Sequence, residues 1–225
     1  MYLSCLMLNP RHKRAQRELA QPYELHRTVL RAFPETLPPK ERVLYRIDMP
    51  RSTGAPAGGS VALLVQSQCE PDWRWAEDVP GYLLCPPQSK PIELELRQGQ
   101  TLAFRLRANP TVKKKSHQDG KEVPANGVRL GLVREEDQRA WLERKGEQHG
   151  FRVLRAAIAP EAMQTAYQPR EGERRRRLAH VAVRYDGLLQ VTDANFLQEA
   201  VRGGIGSAKA FGFGLLSLGP PRLGS

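Results

Sequence analysis

A chain of 225 residues, 40% hydrophobic and 26% charged, has apolar material for a core, which sets aside a wholly disordered polymer. Its formal charge of +11 is carried by both halves, more strongly by the second, and favours a polyanionic partner over a protein that is merely basic. Three cysteines without C-x-x-C spacing set aside a disulfide framework and a thiolate zinc site, and no stretch approaches the roughly 18 apolar residues of a membrane span, so a soluble, reduced, cytoplasmic protein is expected.

In chain order, YLSCLMLN (2–9) reads as a strand, the basic RHKRAQR follows, and Pro22 and Pro34 bracket a helix in QPYELHRTVLRAFP. RVLYRID (42–48) and VALLVQS (61–67) are strands joined by a Pro/Gly-rich loop. The Trp-rich EPDWRWAEDVP then leads to the strand-like GYLLC and IELEL. The order then repeats. TLAFRLRANP (101–110) is a strand, KKKSHQDGKEVPANG a basic loop, and REEDQRAWLERKGEQHG (134–150) a helix with acids in its first turn. FRVLRAAIA, AMQTAYQ and RRLAHVAVRY are strands, and Asp186-Gly187 makes a tight hairpin turn into LLQVT. DANFLQEAVR (193–202) is a helix with Asp193 as N-cap and Gly203 as stop, and GLLSL closes the pattern. The fold class expected is α+β, two tandem ferredoxin-like (RRM-like) β-α-β-β-α-β domains over 1–95 and 96–225. No sequence repeat links the halves, so this rests on element order.

Three stretches carry candidate chemistry. RGGIGSAKAFGFGLLSL (202–218) places five glycines within twelve positions around Lys209. It is not a Walker loop, because Ala210 follows Lys209, and not a dinucleotide fingerprint, because the order is helix, glycines, strand. It is either a plain connection or a backbone cradle in which amides and Lys209 hold phosphates. GERRRRLAHVAVRY (172–185) carries Arg174, Arg175, Arg176 and Arg177 at the start of a strand, either a solvated face or a probe for RNA phosphates. Strand alternation puts His180 on the polar face of that stretch. His26 lies inside the arc of Leu25, Val29, Leu30 and Phe33, with Tyr23 one turn earlier. It is a packing histidine or an imidazole held by apolar neighbours near a helix N-terminus, where phosphate is attracted.

MYLSCLMLNP, PYELHRTVLRAFP, LAFRLRANPT, WLERK and GIGSAKAFGFGLLSL together resemble the CasE family, the CRISPR repeat-processing endoribonuclease of the subtype I-E Cascade complex. The resemblance runs in family order from Met1 to about Leu218, loosely over 50–95 and 111–126. It implies that Tyr23 and His26 are the active-site pair and that the loop holding Gly204, Gly206, Lys209, Gly212 and Gly214 contacts RNA. The implied reaction is metal-independent cleavage of precursor RNA at a repeat hairpin. The 2′-OH attacks the adjacent phosphate to leave a 2′,3′-cyclic phosphate, with no cofactor and no metal. His26 suits proton transfer near neutrality, Tyr23 orients or relays, and Arg27 is a candidate for the phosphorane charge by proximity alone. The implied partners are CRISPR repeat RNA, crRNA and other Cascade subunits, with no membrane. The alternative is a non-catalytic RNA-hairpin-binding subunit; the presence of both Tyr23 and His26 favours cleavage.

Overall fold

The structure, a computed structural model, describes residues 1–38, 41–49, 60–114, 128–168 and 176–221. The first half contains β1 (Tyr2–Leu8), α1 (Lys13–Ala20), α2 (Pro22–Leu30), β2 (Leu44–Asp48), β3 (Val61–Ser67), α3 (Arg74–Glu77) and β4 (Gln88–Pro91). Its sheet runs β2-β3-β1-β4 with every neighbouring pair antiparallel. Alternation on β1 and β3 turns Leu6, Leu8, Val61, Leu63 and Val65 inward, where Leu25 and Val29 of α2 cover them.

The second half repeats the plan with β5 (Thr101–Ala108), β6 (Thr111–Lys114), β7 (Val128–Gly131), α4 (Glu135–Gln148), β8 (Phe151–Pro160), β9 (Gln164–Gln168), β10 (Arg176–His180), β11 (Val183–Val191), α5 (Ala194–Gly203) and β12 (Leu216–Gly219). Its main sheet runs β12-β5-β11-β8. In both sheets the fourth strand borders the first and the third separates first from second, the order of the ferredoxin-like fold; the chain is a tandem pair. Two hairpins, β6–β7 and β9–β10, are additions to the second copy. On β5, Leu102, Phe104, Leu106 and Ala108 enter a core with Trp141 and Leu142 of α4 and Leu197 and Val201 of α5. The opposite face of that strand carries Arg105 and Arg107. Asp193 caps α5 as expected, its carboxylate accepting from the Asn195 and Phe196 amides at 2.9 and 3.0 Å.

Several expectations need correction. Asp186-Gly187 is not a hairpin turn: β11 runs straight through it, paired to β5 on one side and β8 on the other. A Cβ on Gly187 would lie 2.0 Å from the Arg155 carbonyl, so glycine there serves a close strand approach, and a register shift follows at Leu188/Leu189. The Asp186 carboxylate accepts from Arg105 Nε and Arg184 Nε, so it belongs to an ion-paired sheet face. The stretch 176–185 is two strands, broken where the chain leaves the hairpin for the main sheet. IELEL is not a strand; the edge strand lies just before it, at β4, and GYLLC contributes a single bridge from Leu83 to Leu8. The basic RHKRAQR supplies most of α1, whose amphipathic pattern is short and hidden among charges.

The two halves meet along β2 and β3. Arg46, 2% exposed, pairs with Asp48 at 2.9 Å and reaches the Arg105 and Leu215 carbonyls, both at 3.3 Å. Gln66 donates to the Val201 carbonyl at 2.6 Å. The buried guanidinium thus bridges the halves, and removing its partners would leave an uncompensated charge between them.

Helix α2 is held from behind by one buried carboxylate. Glu18, 1% exposed, accepts from Arg14 Nε at 2.7 Å, Thr28 Oγ1 at 2.7 Å and the Tyr82 hydroxyl at 2.6 Å. Glu18→Ala strands the Thr28 and Tyr82 hydroxyls in the core, and we expect urea unfolding to show a loss of about 3 kcal/mol. A loss within about 0.5 kcal/mol, as for an ordinary surface position, would mean that this carboxylate does not secure α2.

Candidate functional site

Pro22 opens α2 at a position that needs no amide donor, and Tyr23 and His26 then stand one turn apart, both partly buried. Glu24 and Arg27 form an exposed ion pair at 3.7 Å beside them. The His26 imidazole stacks on Tyr45 of β2, ring centroids 6.2 Å apart and planes 19° apart. Its Nδ1 is buried without a hydrogen-bond partner among the described residues. Burial holds the imidazole below its ordinary pKa, so it is neutral at pH 7 and can accept a proton at one nitrogen while donating from the other.

The Gly-rich segment is a closed loop rather than a slack connection. Its base is tied by Gly204 N–H to Ala200 O at 2.8 Å, Ile205 N–H to Gly214 O at 2.9 Å and Gly214 N–H to Arg107 O at 2.8 Å. Ile205, Phe213 and Leu215 root it in the protein interior. Between these roots, Lys209–Phe211 makes a 3-10 turn, and Ala208 before it has φ +63°, the lone positive-φ non-glycine among the described residues. The amides of Gly206, Ser207 and Ala208 have no intramolecular acceptor among the described residues. Gly212, at φ +79°, sits where a Cβ would come 3.0 Å from Tyr45 Cε2, so the loop lies flush on the ring that also packs His26. Gly206, at φ +88°, abuts Trp141 in the same way at 3.2 Å.

Cations gather around this loop. Burial, with Arg42 and Lys145 nearby, pulls the Lys209 ammonium below its usual pKa; burial, with Lys145 and Lys209, does the same to His149. Among the described residues no carboxylate pairs with Arg42, Lys145 or Lys209. Like charges collected without a counter-ion favour an incoming anion. Arg107 ties the loop to the β9–β10 hairpin: its guanidinium lies 4.4 Å over the Phe213 ring and bonds the Gly212 carbonyl at 3.3 Å, Glu161 at 2.7 Å and Gln164 at 3.3 Å.

The structure brings His26 of α2 and the loop holding Gly204, Gly206, Lys209, Gly212 and Gly214 together against Tyr45, with Tyr23 one turn before His26 and Arg27 exposed and paired with Glu24. Arg174 and Arg175 lie outside the described residues, and of Arg176 and Arg177 only the backbone is described, paired in β10 with Gln168 and Tyr167. His180 is not a free surface group. Its ring packs on Phe211 at 4.9 Å and its Nδ1 faces Asn109 Nδ2 at 3.3 Å, joining hairpin to loop. Sequence reasoning missed Tyr45, Arg42, Lys145, His149 and Arg107. Only Arg107 left a signal, as an arginine on the outward phase of an otherwise apolar strand.

The depressed His26 pKa has a sign. A neutral imidazole is favoured in the folded state, so its stabilising contribution is present above about pH 6.5 and is lost as pH falls through the lower folded value. An NMR titration of the His26 ring should give a midpoint below 6.5; a midpoint at or above it would mean that burial does not govern this ring.

A family model described as "CRISPR associated protein" matches residues 1–220. The chain is 38% identical over 229 residues to the CRISPR-associated endoribonuclease Cse3 of Thermus thermophilus, covering 98% of this chain and 100% of that protein. It is 34% identical over 137 residues to the Cascade subunit CasE of Escherichia coli, covering 59% of this chain and 65% of that one. A structure of Cse3 bound to a 19-nucleotide RNA superposes with a TM-score of 0.79 at 37% identity, covering 98% of this chain and all of that one. With a family match over residues 1–220, a near-full-length relative and the tandem fold agreeing, the chain belongs to the CRISPR-associated protein family that includes Cse3 and CasE.

Proposed function

We propose that this protein is an endoribonuclease that cleaves CRISPR precursor RNA at repeat hairpins, without a metal or cofactor, and stays with the crRNA product as a Cascade subunit. The observation that carries the reading is the seating of a neutral histidine on α2 against a Gly-rich loop ringed by cations that have no carboxylate partner among the described residues. Relatives named as CRISPR endoribonuclease and Cascade subunit supply the substrate class. The division of the chain at residues 1–95 and 96–225 is part of the reading, supported by each main sheet drawing its strands from one side of that point. A cytoplasmic location is supported by three unpaired cysteines and by the lack, among the described residues, of a helix long and apolar enough to cross a membrane.

In this reading the free amides at 206–208 and Lys209 hold the phosphate, with Arg42 and Lys145 adding positive field and Arg27 able to join only by leaving Glu24. The ribose 2′-OH forms the new bond to phosphorus and the bond to the 5′-oxygen breaks, leaving a 2′,3′-cyclic phosphate and a 5′-OH. His26 moves a proton at one end of that displacement, and Tyr23, one turn away, orients or relays. The phosphorane gains charge where the cations are already fixed, so little reorganisation is needed.

His26→Ala should leave hairpin affinity nearly unchanged and lower the single-turnover rate by ~10²–10⁴. The unsubstituted protein should cut in EDTA and leave a cyclic-phosphate end. Tight binding with no cleavage by the unsubstituted protein would make it an RNA-hairpin-binding subunit instead. For the second basic region, replacing Arg174, Arg175, Arg176 and Arg177 with alanine should flatten the salt dependence of binding by roughly 0.7–0.9 in log–log slope for each phosphate no longer neutralised. Lys209→Ala should flatten it by about one such increment. It is a cleaner probe of the loop than Gly206→Val, which would also strain the backbone against Trp141. Unchanged slopes would return both segments to structural roles.

A further inference from the structure

We propose that Tyr45 is the positioning residue of this centre, seating the His26 imidazole and coupling it to the Gly-rich loop. The inference rests on the reading of His26 as the proton-transfer group. Tyr45 is 1% exposed, and its ring is packed by the imidazole and by the Gly212 backbone. Its hydroxyl lies 3.1 Å from the Pro22 carbonyl, in the first turn of α2, and 3.0 Å from the Ala210 carbonyl, in the 3-10 turn of the loop. A phenol has one proton to donate, so the two carbonyls share it, and neither segment can move without changing the other's bond.

Catalytic histidines are commonly oriented by a hydrogen bond from the ring nitrogen that does not react. His26 has no such bond at Nδ1 among the described residues. The offset tyrosine ring, its plane 19° from that of the imidazole, is the contact that orients it. Filling the loop with a phosphate therefore reaches His26 through Ala210 O, the Tyr45 hydroxyl and the stacked rings.

The test compares Tyr45→Phe, Tyr45→Leu and His26→Ala in the full-length protein, using a synthetic RNA hairpin with the repeat of its own CRISPR array. The quantities read are melting temperature, hairpin Kd and single-turnover rate at saturating protein, normalised to the folded fraction. Tyr45→Phe keeps the ring and releases the carbonyls, so the rate should fall about 3–10-fold. Tyr45→Leu removes the seat and should lower the rate about 30–100-fold, the scale of a small misplacement of a reacting group. In both, Kd should stay within about two-fold, and phenylalanine should rescue most of the leucine defect. A folded Tyr45→Phe protein that cuts at the unsubstituted rate overturns the proposal, even if the leucine variant does not fold. A weakened Kd with an unchanged rate when bound also overturns it, by moving Tyr45 to binding alone. If His26→Ala itself cuts normally, the catalytic reading has failed instead.

Discussion

Two carbonyl oxygens from opposite halves of the chain, those of Pro22 and Ala210, converge on one phenol hydroxyl at 3.1 and 3.0 Å, and the geometry of the centre follows from that convergence. In the proposed function, a histidine on the first domain and a phosphate-holding loop on the second work together only if their separation is fixed. Arg46 and Gln66 clamp the domains more broadly, through carbonyls of β5, of the segment entering β12 and of α5. Tyr45 sets the local register. Glu18 secures α2 from behind, so the helix is held on both sides.

The electrostatics divide in the same way. On α2 burial keeps an imidazole neutral, which is the state that can take up a proton at pH 7. Around the loop, by contrast, Lys209, Lys145, Arg42 and His149 crowd one another, and the pKa values of Lys209 and His149 are depressed by burial and then by the neighbouring like charge. Under the proposed function, a bound phosphate would relieve that repulsion. The proposed phosphate contact rests on the amides at 206–208, which have no intramolecular acceptor among the described residues, and on the left-handed Ala208 beside them.

The fold was legible where periodicity and punctuation agree. The strands at 61–67 and 101–108, the helix after REED and the Asp193 cap all follow from local pattern, and the tandem ferredoxin-like order follows from their sequence. Asp186-Gly187 misled because a turn dipeptide and a glycine needed for close strand approach look alike until both neighbouring strands are known. The Gly-rich loop stood out in composition; Tyr23 and His26 stood out as a pair only through the resemblance to CasE, since the pattern around His26 fits packing as well as catalysis. Tyr45 did not stand out: it looks like any other apolar position of RVLYRID, and its role comes from a hydrogen bond to a residue 165 positions away along the chain. The Lys209 cluster was hidden for the same reason, since Arg42, Lys145 and His149 are distant in sequence and unremarkable in composition.

The central claim is that one scissile phosphate is held between α2 of the first domain and the Gly-rich loop of the second. The most direct measurement is site-specific photocrosslinking from a repeat hairpin bearing a 2′-deoxy block and a photoreactive group at the cleaved linkage, followed by mass spectrometry of the RNA-linked peptides. The account predicts crosslinks to peptides from both 22–30 and 204–214. Crosslinks confined to the outward β-sheet face around Arg105 and Asp186, with none in those two segments, would contradict it.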